Sequence, residues 1–163
     1  MKKSYIICGK PGAGKWTAVA YLREKFDGII FRPSDLTRSI LRAFSLPESR
    51  ENLSKLMHIL RKEFTQDIYI HSAREYIQKN PEKVIIFDGI RKLHFIDNIQ
   101  NEHSCMLIFI DTDDHIRYER LKNRWEKSDE IGMSFEEFLQ WESLESENEN
   151  DDNYSNWFRE SMT

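Results

Sequence analysis

Little in this sequence invites a redox, zinc or membrane reading. It holds 2 cysteines, Cys8 and Cys105, both inside apolar runs ("SYIICG" and "SCMLIFI"). Packed, reduced thiols are therefore expected in place of a disulfide framework. The histidines (His58, His71, His94, His103, His115) are scattered without ligand spacing, so no zinc pattern exists. No run approaches the ~20 apolar residues of a membrane span. The apolar stretch in "MKKSYIICG" is too short for the core of a secretion signal, which needs about 7–15 residues. A cytoplasmic protein with no membrane partner is the expectation. Positive charge is not in excess either: 24 Lys and Arg against 28 Asp and Glu leave a formal net charge of −4. Electrostatics then do not favour nucleic acid as a partner.

What is present fits one folded unit. A chain of 163 residues, 39% apolar and 32% charged, can bury a single sizeable core beneath a heavily charged surface. Apolar runs at 4–8, 83–87 and 105–110 read as buried strands, each running into Gly or Asp, with a weaker candidate in "GIIFRP" ended by Pro33. Helical patterning fills the intervals. It covers 15–26, a segment after Ser34 as N-cap, a long stretch over 51–80 bent near Thr65, and then 93–100 and 113–127. This alternation predicts an α/β fold in three layers, a mostly parallel sheet of four to five strands flanked by helices. The domain is expected over 1–147, with an acidic, mobile tail over 148–163. Gly9, Asp88 and Asp111 fall at the carboxyl ends of their strands, the edge where open α/β sheets bind ligands.

Four segments carry candidate chemistry. In "GKPGAGKWT" (9–17), Gly9 and Gly14 bracket four residues ahead of Lys15, the spacing of a phosphate-cradling P-loop. Glycines let backbone N–H groups face phosphate oxygens, and the helix that follows adds its dipole. Position 16, where a Mg²⁺-binding hydroxyl is expected, is Trp16, and Thr17 follows. A plain glycine-rich turn is the bland alternative. In "VIIFDGIR" (84–91), Asp88 ends a strand where a P-loop protein keeps its Mg²⁺-organising carboxylate; an ordinary Asp-Gly turn is the alternative. "RPSDLTRSIL" (32–41) sets Asp35 and Arg38 in a first helical turn. "RYERLKNRWEK" (117–127) puts Arg117, Arg120 and Arg124 on one helical face. That face is either a solvated surface or a set of cations that neutralise transferred phosphate.

Together these segments resemble the P-loop nucleoside monophosphate kinases, including adenylate kinase, and their small dephospho-CoA-kinase-like relatives. "GKPGAGKWT" is similar to that family's G-x-P-G-A/S-G-K-G/S-T, "SDLTR" to its G-D-x-L-R, "DGIR" to its D-G-x-R, and "RLKNR" to its R-x-x-x-R at the start of the lid. The resemblance implies ATP phosphates on Gly9, Pro11, Gly12, Ala13, Gly14, Lys15, Trp16 and Thr17. It implies Mg²⁺ organised by Thr17 and Asp88, mostly through water. Asp35, Arg38 and Arg91 would hold a nucleotide or nucleotide-like acceptor. Lys15, Asp88, Arg120 and Arg124 would be catalytic, with a short lid around 117–140. Adenylate kinases carry glycine then threonine after the loop lysine, so a hydroxyl at 16 is not indispensable there. The chain departs from the family in the bulk of Trp16, in an acidic segment after Arg124, and in lacking a final strand pattern. These departures motivate a second reading, a nucleotide-binding regulatory protein without turnover; a polynucleotide-end kinase is a third.

Overall fold

The computed structural model describes residues 4–90, 92–123 and 133–148. Four strands form one sheet: β1 (Ser4–Cys8), β2 (Ile29–Phe31), β3 (Ile85–Asp88) and β4 (Cys105–Phe109). Their order is β2-β3-β1-β4, and every pairing is parallel. The helices are α1 (Lys15–Phe26), α2 (Pro33–Ala43), α3 (Arg50–Glu63), α4 (Ile68–Lys79), α5 (Leu93–Glu102), α6 (Asp114–Lys122) and α7 (Phe135–Asn148). Parallel strands require crossover connections, and the helices supply them.

Alternation along the strands sorts side chains between two cores. Ile6, Cys8, Ile85 and Phe87 point to one face, where they meet Ile70 and Ala73 of α4 and Phe95, Ile96 and Ile99 of α5. Ile7 and Ile86 point to the other, against Val19 and Leu22 of α1. Burial on both faces is why β1 and β3 read as continuous apolar runs. Cys8 is fully buried and Cys105 half-buried, both as free thiols. Burial pushes the Cys8 thiol up to about 12, which keeps it protonated and chemically inert.

The structure corrects two boundaries and adds a cap. Helix α2 starts at Pro33 with Arg32 as N-cap, two residues earlier than a Ser34 cap would allow, because proline is preorganised for the first helical position. The stretch over 51–80 is two helices. Thr65 Oγ1 accepts the Asp67 N–H across the break, giving the chain a local alternative to helix. Part of the acidic segment after Arg124 forms α7, which begins with a built cap. Ser134 and Glu137 cap α7 reciprocally: Glu137 N–H donates to Ser134 Oγ (3.1 Å) and Ser134 N–H to Glu137 Oε2 (2.6 Å). That is a capping box, legible in "SFEE". The tail beyond residue 148 lies outside the described residues. No helix among the described residues is long and apolar enough to cross a membrane.

Candidate functional site

The carboxyl edge of the sheet gathers Gly9 after β1, Arg32 after β2, Asp88 at the end of β3 and Asp111 after β4. Residues 9–17 leave β1 and enter α1 there. Gly9, Gly12 and Gly14 all adopt positive φ (143°, 78° and 95°), a region open to glycine and costly for other residues. A Cβ on Gly9 would lie 2.3 Å from the Ile110 carbonyl oxygen, and one on Gly12 would lie 2.8 Å from that of Arg117. At Gly14 the space is open except for the Arg120 guanidinium, 3.5 Å away. Gly9 and Gly12 are thus required by backbone contact, whereas Gly14 is required by conformation alone.

Gly14 is also the N-cap of α1 and supplies no side-chain acceptor, and the first turn carries no acidic residue. The positive end of the helix is therefore left to an anion. Lys15 Nζ curls over the loop and donates to the carbonyls of Gly9 (2.7 Å) and Lys10 (2.8 Å). These neutral acceptors are weaker than phosphate oxygens, so a bound triphosphate would outbid them for the ammonium. Arg120 lies over the same loop, Nη1 donating to the Gly12 carbonyl at 3.1 Å. An open cleft of about 380 Å³ runs beside it, lined by His115, Ile116, Glu119, Arg120 and Asn123. Thr112 Oγ1 fastens the loop from the β4 side by donating to the Ala13 carbonyl (2.9 Å).

The predicted arginines divide. Arg120 is exposed at the loop, but Arg117, one turn earlier, is completely buried. Its Nη2 donates to Asp114 (2.5 Å) and to Glu142 Oε2 (2.7 Å), and its Nη1 to the Pro11 carbonyl (3.2 Å) and to Glu142 Oε1. The guanidinium also lies over the Phe138 ring at 5.3 Å. Arg117 is therefore not a ligand for transferred phosphate. It ties α6 and α7 to the back of the loop, and Lys10 joins the tie at 3.4 Å from Glu142. Arg38 stands 3.4 Å from Glu48 and Asp35 is exposed on the first turn of α2. Arg91 and Arg124 lie outside the described residues.

Sequence reasoning missed Arg32. Its Nε and Nη2 donate to Asp88 Oδ2 at 2.9 and 2.6 Å, and Nη1 stands 3.7 Å from Asp35. Trp16 does not fill the loop. It turns outward, 53% exposed, and its ring lies 5.3 Å from the Arg32 guanidinium carbon, within cation–π range. A signal existed in "FRP": the residue after a parallel strand is delivered to the binding edge.

P-loop domains in general bind nucleotide with Mg²⁺. The residues here fit the phosphates: a glycine cradle, an uncapped helix N-terminus, and Lys15 and Arg120 above it. They do not fit a metal held directly by protein. Position 16 has no hydroxyl and Thr17, the residue that would supply one, is exposed on the first turn of α1; Oδ2 of Asp88 is committed to Arg32, and no three His, Cys, Asp or Glu gather among the described residues.

The fold and loop define a P-loop, kinase-like nucleotide-binding domain. The family model described as an AAA domain matches residues 6–152, and the chain belongs to that family. A UPF0200 protein of Methanocaldococcus jannaschii is 30% identical over 125 residues, covering 76% of this chain and 63% of its own length. The chain thus spans less than two thirds of that relative. A UPF0200 protein of Thermococcus onnurineus is 29% identical over 148 residues, 85% of this chain and 77% of its own. A third, from Sulfurisphaera tokodaii, is 28% identical over 144 residues, 88% and 78% respectively. The name these relatives share states no activity.

Proposed function

We propose that the chain is a nucleotide kinase that takes the phosphates of ATP on residues 9–17 and transfers the γ-phosphoryl group to a nucleotide or nucleotide-like small molecule. The observation that carries this reading is the loop itself, with three positive-φ glycines, an uncapped α1, and Lys15 and Arg120 both bonded to loop carbonyls. Lys15 leaves those carbonyls for the terminal phosphates. Arg120 moves with the start of the lid onto charge developing on the transferred group. Asp35 and Arg38, with Arg91, hold the acceptor on the β2–β3 side of the crevice, and Arg124 extends the lid. The cleft beside Arg120 suits the base of the donor. Catalysis of this kind is positioning and charge stabilisation, with no covalent intermediate. A cytoplasmic location accompanies the reading, because ATP and nucleotide acceptors are cytoplasmic metabolites.

The test is turnover of ATP against a panel of nucleoside monophosphates and related acceptors, with Lys15→Met as control. Turnover that depends on Lys15 supports the assignment, and turnover that survives Lys15→Met sinks it. A second reading, a nucleotide-binding regulatory protein, draws on the Trp16–Arg32–Asp88 stack. Its signature is Lys15-dependent binding of ATP with no turnover on any acceptor.

A further inference from the structure

The carboxylate expected to organise a metal already has a cation on it. Arg32 Nε and Nη2 converge on a single oxygen of Asp88 at 2.9 and 2.6 Å, short charge-assisted bonds. The Asp88 side chain is 11% exposed and that of Arg32 is 28% exposed, so the pair is shielded from bulk water on one side. Asp35 stands beside the same guanidinium at 3.7 Å. Trp16 covers it from the loop side, its ring 5.3 Å from the guanidinium carbon. Three separate elements supply these parts: the first turn of α1, the residue after β2 and the end of β3. The indole at position 16, where a Mg²⁺-binding hydroxyl is usual in a P-loop, is the same group that braces the arginine.

We infer that the Arg32 guanidinium takes the place of a divalent cation at Asp88, with Trp16 holding it there, so that the loop binds a nucleoside triphosphate without needing Mg²⁺. The inference rests on the nucleotide-binding reading of the loop. An unneutralised Asp88 at the carboxyl edge of β3 would repel the β- and γ-phosphates. In most P-loop sites a metal ion removes that repulsion. Here a guanidinium fixed by two hydrogen bonds to Asp88 does so. Mg²⁺ would have to displace two short hydrogen bonds to reach Asp88 Oδ2, and it demands near-ideal octahedral oxygen coordination that an indole cannot supply. A metal-free triphosphate carries more negative charge, which the Arg32, Lys15 and Arg120 cations attract more strongly.

The experiment is calorimetric titration of ATP into the whole chain, once in excess EDTA and once in saturating Mg²⁺. It is made on the wild type, on Arg32→Gln and on Trp16→Gly, with circular dichroism to confirm folding. The wild type is expected to bind in both conditions with Kd values less than about tenfold apart. Arg32→Gln is expected to lose about tenfold or more in EDTA and to recover that loss in Mg²⁺. Trp16→Gly is expected to move the same way by a smaller factor. Wild-type binding that is tenfold or more tighter with Mg²⁺ overturns the inference and leaves the nucleotide reading standing. A folded Arg32→Gln that binds as the wild type does in EDTA overturns it as well. Absence of ATP binding by the wild type in both conditions removes the nucleotide reading, and the inference goes with it. The two wild-type titrations decide the matter even where a variant does not fold.

Discussion

Two arginines flank the loop, each held by carboxylates, and they do different work. Arg117 is wholly buried behind the loop, paired with Asp114 and Glu142 and roofed by Phe138. Arg32 stands at the open edge in front, paired with Asp88 and roofed by Trp16. The first has no route to a ligand, so its charge serves to pin α6 and α7 under Pro11 and Gly12. The second faces the crevice, so its charge is available to anything that enters. Similar chemistry becomes scaffold or tool according to how much water reaches it. Breaking a buried pair strands a charge, whereas breaking a half-exposed one lets water take the partner's place.

The largest effect is expected from Arg117→Met. Glu142 loses its bidentate partner, and stability should fall by about 3 kcal/mol in urea denaturation. Changing Arg117→Met and Glu142→Leu together should recover part of that loss, because the pair and not one charge is what the fold needs. An unchanged midpoint in the single variant would erase the contrast with Arg32.

Next come the glycines, which sense the two sides differently. Gly12→Ala drives a Cβ to 2.8 Å from the Arg117 carbonyl oxygen at a φ of 78°, and should cost about 2 kcal/mol by thermal or chemical denaturation. Gly14→Ala meets only the flexible end of Arg120, and should cost about 1 kcal/mol, the price of left-handed backbone alone. Equal costs would mean that the contact with Arg117 is soft.

Arg32→Gln should be milder still, at about 1 kcal/mol or less in stability, while changing the response of ATP binding to Mg²⁺. A loss comparable with that of Arg117→Met would show the front pair to be scaffold too.

The smallest effect concerns acid. The hydrogen bond from Arg117 holds the Asp114 carboxyl below the usual carboxylate range, against the opposing influence of burial. A depressed carboxylate stabilises the fold fully above its unfolded pKa, about 3.9, and loses that contribution as pH falls through its folded value. Thermal midpoints taken from pH 5 downward should therefore drop more steeply below about pH 4 in the wild type than in Arg117→Met. Parallel curves would show that Asp114 draws nothing from the pair.

Much of this architecture was legible in sequence. Helix α1 spans Lys15–Phe26 and β1 spans Ser4–Cys8, as the patterning predicts, because apolar runs and glycine spacing are local properties. The loop was legible for the same reason, since its positive φ angles need glycine wherever they occur. The role of the acidic segment was not. Its capping box was there to be read, but Glu142 gains its meaning from Arg117, 25 positions away.

The sequence by itself determined a parallel α/β sheet with a phosphate-cradling loop after its first strand, since periodicity and glycine placement act within a few residues. It placed Arg117 and Arg120 on one helical face and could not separate them. Tertiary structure decided that Arg117 is sealed by α7, that Arg120 stays with the loop, and that Arg32 reaches across 56 positions to Asp88. Burial and long-range charge pairing depend on which elements meet in space, and no local spacing records that.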